Sequence, residues 1–275
     1  MLSMDAAAGQ RETTGMDDLT CDLRDENSVR HIFDTHQIGT IVHLAAVLPT
    51  TAQRDPVRAT QVNVYASLHL LEMAKAFKVG RFIFASSLSI YGSWPDDQIV
   101  SERSHAAPED LYGAGKLYVE QLGAAYRERG GPEFVSFRIG RVVGKGAQSR
   151  TSAWRSQIFE LLRTGARSTI SLPYPAPERL LLVHVDDVAR GLMNLMEASR
   201  PAHTIYNAPC ESITVRELKE RVEDFNPNIT VQMGQSPASG NPRQVDWSRF
   251  GNEYQFSIKP IAERLLLESR EVNRS

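Results

Sequence analysis

Tyr112 and Lys116 stand four residues apart within LYGAGKLYVEQL, so a helix through this segment places them on one face. An ammonium beside a phenol favours the phenolate, and a tyrosine of ordinary pKa about 10 thereby becomes a usable acid–base group. Upstream, RFIFASS reads as a buried strand ending in the hydroxyls of Ser86 and Ser87. A serine at the carboxyl end of a strand can hold the substrate oxygen whose proton the tyrosine takes or returns. Together the three groups describe proton transfer at an alcohol or carbonyl. The Tyr-x-x-x-Lys pair alone is weak, since a packed tyrosine with a solvated lysine has the same spacing. Its context is stronger: strand, Ser-Ser, loop and Tyr-Gly precede it, and an apolar strand at 134–139 follows.

The remaining elements alternate in a way that can position such a site. MLSMD reads as the tail of a strand ending in Asp5, DDLT as a short strand, and Asp25 or Asn27 as the cap of a helix through Phe33. TIVHLA at 40–45 is a continuous apolar run, as in a central parallel strand. Asp55-Pro56 opens a helix expected to reach Phe77 and stop near Gly80. After strand 81–85 a long loop through Trp94 and Pro95 leads to the Tyr112 helix, which Gly130-Gly131-Pro132 ends. Strands alternating with helices predict βαβ units and a parallel sheet.

After Gly146 the rhythm loosens. The pattern predicts a helix over 154–164, strands at 168–172, LLLVHV and 203–207, and an apolar helix capped by Asp186 or Asp187. Thr214-x-x-Glu217 is a capping box for a helix to Phe225; a strand at 229–233 and a last helix at 260–270 follow.

Composition sets limits on function. A 41% hydrophobic and 23% charged chain is of globular type, and a net charge of −2 offers no broad basic face for nucleic acid. Cys21 and Cys210 lie far apart, which fits reduced thiols in a cytoplasmic protein. No apolar run has membrane-spanning length, and the scattered histidines argue against a metal site.

HLAA at 43–46, Asn63 within QVNV, SSLSIYG at 86–92, YGAGK at 112–116 and HVDDVA at 184–189 occur in a fixed order. With these motifs the chain resembles the extended short-chain dehydrogenase/reductases, specifically the NAD-dependent epimerase/dehydratase family. The resemblance implies an α/β fold: a Rossmann-like doubly wound parallel sheet over 1–147 and 180–208, with a smaller substrate-binding lobe at 148–179 and 209–275. It implies Ser87, Tyr112 and Lys116 as catalytic residues, with Lys116 also holding the nicotinamide ribose. Asp22 and Leu23 resemble the pair that receives adenine, and Leu44, Ala45 and Ala46 the strand end along the dinucleotide. Asn63 and Ala85 match positions near the cofactor, and Asp5 the acid on the adenosine ribose, which favours NAD while leaving NADP open. Val47, Ser87 and Ser89 are expected on the substrate side. The helices at about 56–79 and 110–128 resemble the family's dimer surface, so a homodimer is expected.

One departure stands out. The family's opening strand, glycine-rich turn and helix, which receive the pyrophosphate, have no counterpart in the sequence. The expectation is therefore a member lacking its first βα unit, on the order of 35–40 residues. Arg141, Arg155 and Arg179 are candidate anion partners, because a guanidinium fork suits phosphate or carboxylate. Arg141 stands where many family members carry asparagine. The expected activity is hydride transfer at a secondary alcohol of a sugar, nucleotide sugar or small hydroxy acid. Two alternatives accompany it: a threonine- or hydroxy-acid-dehydrogenase-like enzyme, and a cofactor-deficient or non-catalytic binding protein.

Overall fold

β-Branched and aromatic residues crowd TIVH and RFIFASS, and the two segments pair in parallel, from Thr40 opposite Arg81 to His43 opposite Phe84. The computed structural model describes residues 2–6, 17–146, 152–164 and 167–271. In chain order the first elements are β1 (Leu2–Asp5), β2 (Asp17–Thr20), α1 (Glu26–Thr35), β3 (Thr40–His43), α2 (Pro49–Arg54) and α3 (Pro56–Thr60). A π-turn (Gln61–Tyr65) leads into α4 (Ala66–Ala76), β4 (Arg81–Ser87), a 3₁₀ turn (Leu88–Tyr91), β5 (Ile99–Val100) and α5 (Leu111–Glu128). Then come β6 (Glu133–Ile139), β7 (Arg141–Val143), α6 (Trp154–Thr164), β8 (Ser168–Leu172), β9 (Arg179–His184) and α7 (Val185–Glu197). The chain continues with β10 (Ile205–Asn207), β11 (Glu211–Thr214), α8 (Val215–Phe225), β12 (Ile229–Met233), β13 (Gln244–Val245), α9 (Ser248–Tyr254) and α10 (Ile261–Glu271).

Two compact units result. The first comprises Met1–Ser86 with Asp110–Ser136. In it β1 and β2 form a parallel pair, β3 borders β4, and β4 borders β6. Val29, Ile32 and Phe33 of α1 share a core with Leu70, Leu71, Phe82, Phe84, Val119 and Phe134. α5 comes close to β6 because Gly123 has no side chain; a Cβ there would sit 2.2 Å from the Phe134 ring. Arg81 and Glu133 join β4 to β6 through Nη2 and Oε2, 2.7 Å apart.

The second unit comprises Ser87–Glu109 with Phe137–Ser275. Its sheets are β11–β9–β7 and the parallel pairs β8–β12 and β5–β13. The end of β6 joins β10 here, the Ala208 N–H donating to the Arg138 carbonyl at 2.9 Å. Trp154, Ile158, Phe159 and Leu162 of α6 pack with Leu180, Leu182, Leu218, Val222, Ile261 and Leu265. Tyr91 is fully buried: its hydroxyl donates to Asn207 Oδ1 at 2.8 Å and accepts from Arg138 Nη1 at 2.7 Å.

Two sequence expectations are corrected and one is refined. The helix from Pro56 runs to Ala76 as expected, but its turn at Gln61–Tyr65 is a π-bulge, from which Asn63 reaches across to Val47. α7 is capped by His184, whose Nδ1 accepts from the Asp186 N–H, and not by Asp186 or Asp187. Those two acids fall in the first turn, where Arg264 holds both carboxylates at 2.9 Å. The run at 40–45 leaves the ladder after His43, so Leu44 and Ala45 lie exposed beyond the strand end.

Candidate active site

α5 begins where Asp110 accepts from the Gly113 N–H at 2.6 Å, and this cap sets Tyr112 and Lys116 on the first turns. Lys116 is 2% exposed. Its Nζ donates to the Ala85 carbonyl at 2.6 Å and lies 4.5 Å from the Phe84 ring centroid and 5.5 Å from that of Tyr112. Burial pushes the ammonium down to about 7, with Glu120 one turn on pulling it back up. Glu120 is itself buried and accepts from Ser136 Oγ at 2.7 Å. The half-buried Tyr112 packs against the cluster of Val47, Ala52 and Ala59. A phenol is thus held above a buried lysine whose protonation is poised near neutrality.

The loop after β3 is fixed from the π-turn. Asn63 Nδ2 donates to the Val47 carbonyl at 2.9 Å, and its Oδ1 accepts from the Val47 N–H at 2.7 Å. The carbonyl of Asn63 accepts from Ser67 Oγ, which bonds His43 Nε2 at 2.8 Å. Desolvation pushes His43 down to about 3, the Lys116 charge adding to the shift, so its imidazole is neutral at ordinary pH. Asn63 therefore acts on Val47, and through it on Leu44–Ala46, where Leu44 is 56% exposed.

Also in the first unit, a cleft of about 590 Å³ is lined by Asp22, Leu23, Asp25, Gln61, Tyr65 and His69, among others. Arg24 clamps the Asp22 carboxylate through Nε and Nη2, and this pairing holds it down at about 2. His69 Nε2 is buried there without a hydrogen-bond partner. Asp5 ends β1, exposed, its carbonyl accepting from the Cys21 N–H at 2.8 Å. These features suit the two ends of a dinucleotide: a cleft with an orphaned imidazole nitrogen, and a strand end with bare apolar side chains and backbone. No glycine-rich turn is present in the sequence, so no residue is assigned to the pyrophosphate.

In the second unit, Ser87 Oγ accepts from the Ser89 N–H at 3.1 Å and from Ser89 Oγ at 2.9 Å. With both acceptor sites used, the remaining capacity of Ser87 is its own O–H as a donor. Arg141 starts β7, Arg155 lies in the first turn of α6, and Arg179 starts β9 opposite Thr214. Arg141 meets Tyr174, whereas Arg155 sits over the Trp154 ring and Arg179 lies near Glu217. The three arginines thus have different neighbours. Tyr174, which Arg141 meets, and Trp154, which packs edge-on against the same ring, carried no motif in the sequence. Among the described residues no cluster of three metal-ligating side chains occurs, and no helix is long and apolar enough to cross a membrane.

The family model described as NAD dependent epimerase/dehydratase matches residues 3–208. An uncharacterized epimerase/dehydratase of Staphylococcus saprophyticus is 23% identical over 261 residues, covering 89% of this chain and 80% of the relative. L-threonine 3-dehydrogenase from Trypanosoma brucei superposes with a TM-score of 0.84 at 21% identity, covering 99% of this chain and 88% of that one. UDP-glucose 4-epimerase of Thermus thermophilus, solved in complex with NAD, gives 0.85 at 24% identity, covering 99% and 90%. At these identities the structural likeness shows the fold.

Proposed function

Because the chain belongs to the NAD-dependent epimerase/dehydratase family, we propose that it oxidises a secondary alcohol with Tyr112 as acid–base, Lys116 as its electrostatic partner and Ser87 as donor to the substrate oxygen. The observation that carries this reading is the buried Lys116, tied to the Ala85 carbonyl beneath the Tyr112 ring. Bound NAD would supply the hydride acceptor for the alcohol carbon and, in an epimerase, the hydride donor for the return. The ammonium of Lys116 stabilises Tyr112 as the phenolate, and the phenolate Oη accepts the hydroxyl proton, becoming the neutral phenol. The Ser87 O–H steadies the substrate oxygen as it becomes a carbonyl. Asp22 and Leu23 would hold the adenine, Asp5 its ribose, Leu44–Ala46 and Ala85 the strand-end side of the cofactor, and Lys116 with Tyr112 the nicotinamide ribose.

The substrate reading is a sugar, nucleotide sugar or small hydroxy acid, bound by the lobe at 148–179 and 209–275 with Val47 and Ser89. Solved relatives of the same fold are named as threonine dehydrogenases and as UDP-glucose 4-epimerases, so both outcomes of hydride removal are tested. A dehydrogenase accumulates reduced nicotinamide; an epimerase shows none while its product differs in configuration. Titrating NAD by calorimetry and then screening alcohols for either signal tests the proposal; absence of NAD binding refutes it. The reading includes a cytoplasmic homodimer, supported by the exposed Val57, Tyr65, Leu111 and Tyr118 in and around α3 and α5; sedimentation as a monomer would remove the dimer.

A further inference from the structure

Arg141 is 9% exposed and forms no ion pair among the described residues. Its guanidinium carbon lies 5.9 Å from the Tyr174 ring centroid, while Nη1 is buried with no hydrogen-bond partner. Trp154 meets the same Tyr174 ring edge-on, centroids 6.3 Å apart. It is 3% exposed, and its indole Nε1 is likewise buried with no acceptor. The nearby carboxylates are spoken for: Arg243 holds Glu178 at 2.5 Å and approaches Asp96 at 3.7 Å.

A guanidinium keeps its charge at any pH a protein meets, and enclosing it without a counter-ion is costly. Burial and the charge of Arg243 both disfavour the charged Arg141, with Tyr174 and Glu178 opposing them. Two enclosed donors around one aromatic ring, with no acceptor left for either, form a cluster with an excess of donors. A purely structural arginine would spend its fork on backbone carbonyls or a carboxylate, and Arg141 does neither. An apolar ligand would leave both donors unmet; a cation would be repelled.

We propose that Arg141 and Trp154 bind an oxyanion, the carboxylate or phosphate of a small molecule, with the half-buried Tyr174 ring turning aside to admit it. Arg141 supplies the charge and the fork, and the Trp154 N–H supplies a second, neutral donor that fixes the anion's orientation. The identification of that molecule as the substrate rests on the dehydrogenase or epimerase reading above, and it narrows the substrate to one carrying an ionised group. The binding itself does not depend on that reading.

The test uses the full chain without nicotinamide, titrated at constant ionic strength with inorganic phosphate and, separately, with malonate. Tryptophan emission and calorimetry are followed. Saturable binding of at least one anion is expected; phosphate alone points to a phosphate ester, malonate alone to a carboxylate. Arg141→Met should weaken binding by about tenfold or more. Trp154→Phe, which keeps the ring in place, should weaken it several-fold and remove the emission change, and it carries the test should Arg141→Met not fold. Absence of a saturable response beyond that of chloride, or unchanged affinity in the folded variants, overturns the site. Anion binding without any NAD-linked turnover leaves the site standing and removes the enzyme reading. Turnover of an anionic substrate with unchanged KM in the folded variants does the reverse.

Discussion

Replacing Lys116 by methionine exchanges a buried ammonium for an apolar chain of similar length, and its effect should depend on pH in a defined way. Lys116 is fully enclosed, and burial brings it from 10.5 to about 7 in the folded chain. Between those values the unfolded chain holds a proton that the folded chain has lost, so stability rises with pH; below about 7 both hold it and the burial cost is complete. For a group titrating at about 7 when folded, the gain from pH 6 to pH 9 is about 2.7 kcal/mol. The whole interval corresponds to roughly 5 kcal/mol. Against it stands the charge-assisted bond to the Ala85 carbonyl, worth about 1.5–3 kcal/mol. Lys116→Met should therefore be the more stable protein at pH 6 by about 2 kcal/mol, and the two should converge near pH 9. Urea unfolding of both proteins at unit pH intervals measures the difference. The raised thiols of Cys21 and Cys210 are common to both proteins and cancel. Parallel stability curves across pH 6–9 would refute the reasoning, because they would mean that the folded chain keeps the Lys116 proton.

The other outcomes are more local. Asn63→Ala leaves the Val47 N–H and carbonyl unpaired in a buried loop, so urea unfolding should register a loss of about 2–4 kcal/mol, with NAD affinity falling several-fold by calorimetry. Gly92→Ala forces a side chain onto a backbone at φ +68°, with Cβ 2.3 Å from the Ala107 carbonyl. It should cost about 2–4 kcal/mol, read from the same unfolding curves. Ser87→Ala should lose about 0.5–2 kcal/mol in urea unfolding, since it removes the cap that Ser87 gives the 3₁₀ turn. Its kcat should fall on the order of 10²-fold, since it also removes one donor to the developing carbonyl oxygen; a kcat within twofold of the parent would take Ser87 out of the chemistry.

Features set by near neighbours in the chain were readable in the sequence. α6 spans 154–164, β8 168–172 and β12 229–233 as the apolar spacing predicts, and Thr214 with Glu217 forms its capping box. Lys116 and Tyr112 share a helix face because four residues make about one turn. What was hidden depends on partners distant in sequence. The π-turn exists where Asn63 is drawn to Val47, sixteen residues away. His184 takes the cap of α7 because the helix starts at Val185, which leaves Asp186 and Asp187 within the first turn, where Arg264 from far down the chain pairs with both. The donors around Tyr174 come from Arg141 and Trp154 on separate elements, and no short pattern marks them. That Asn63 serves the loop after β3 likewise follows only from its bonds.

The central claim is that the Tyr112 phenol, set over Lys116, carries the proton of an NAD-linked oxidation. The most direct measurement compares the parent chain with Tyr112→Phe for NAD affinity by calorimetry and for turnover of an alcohol substrate by nicotinamide reduction or product configuration. The account predicts affinity within about threefold and turnover lowered by roughly 10²–10⁴. Turnover retained in Tyr112→Phe would contradict it.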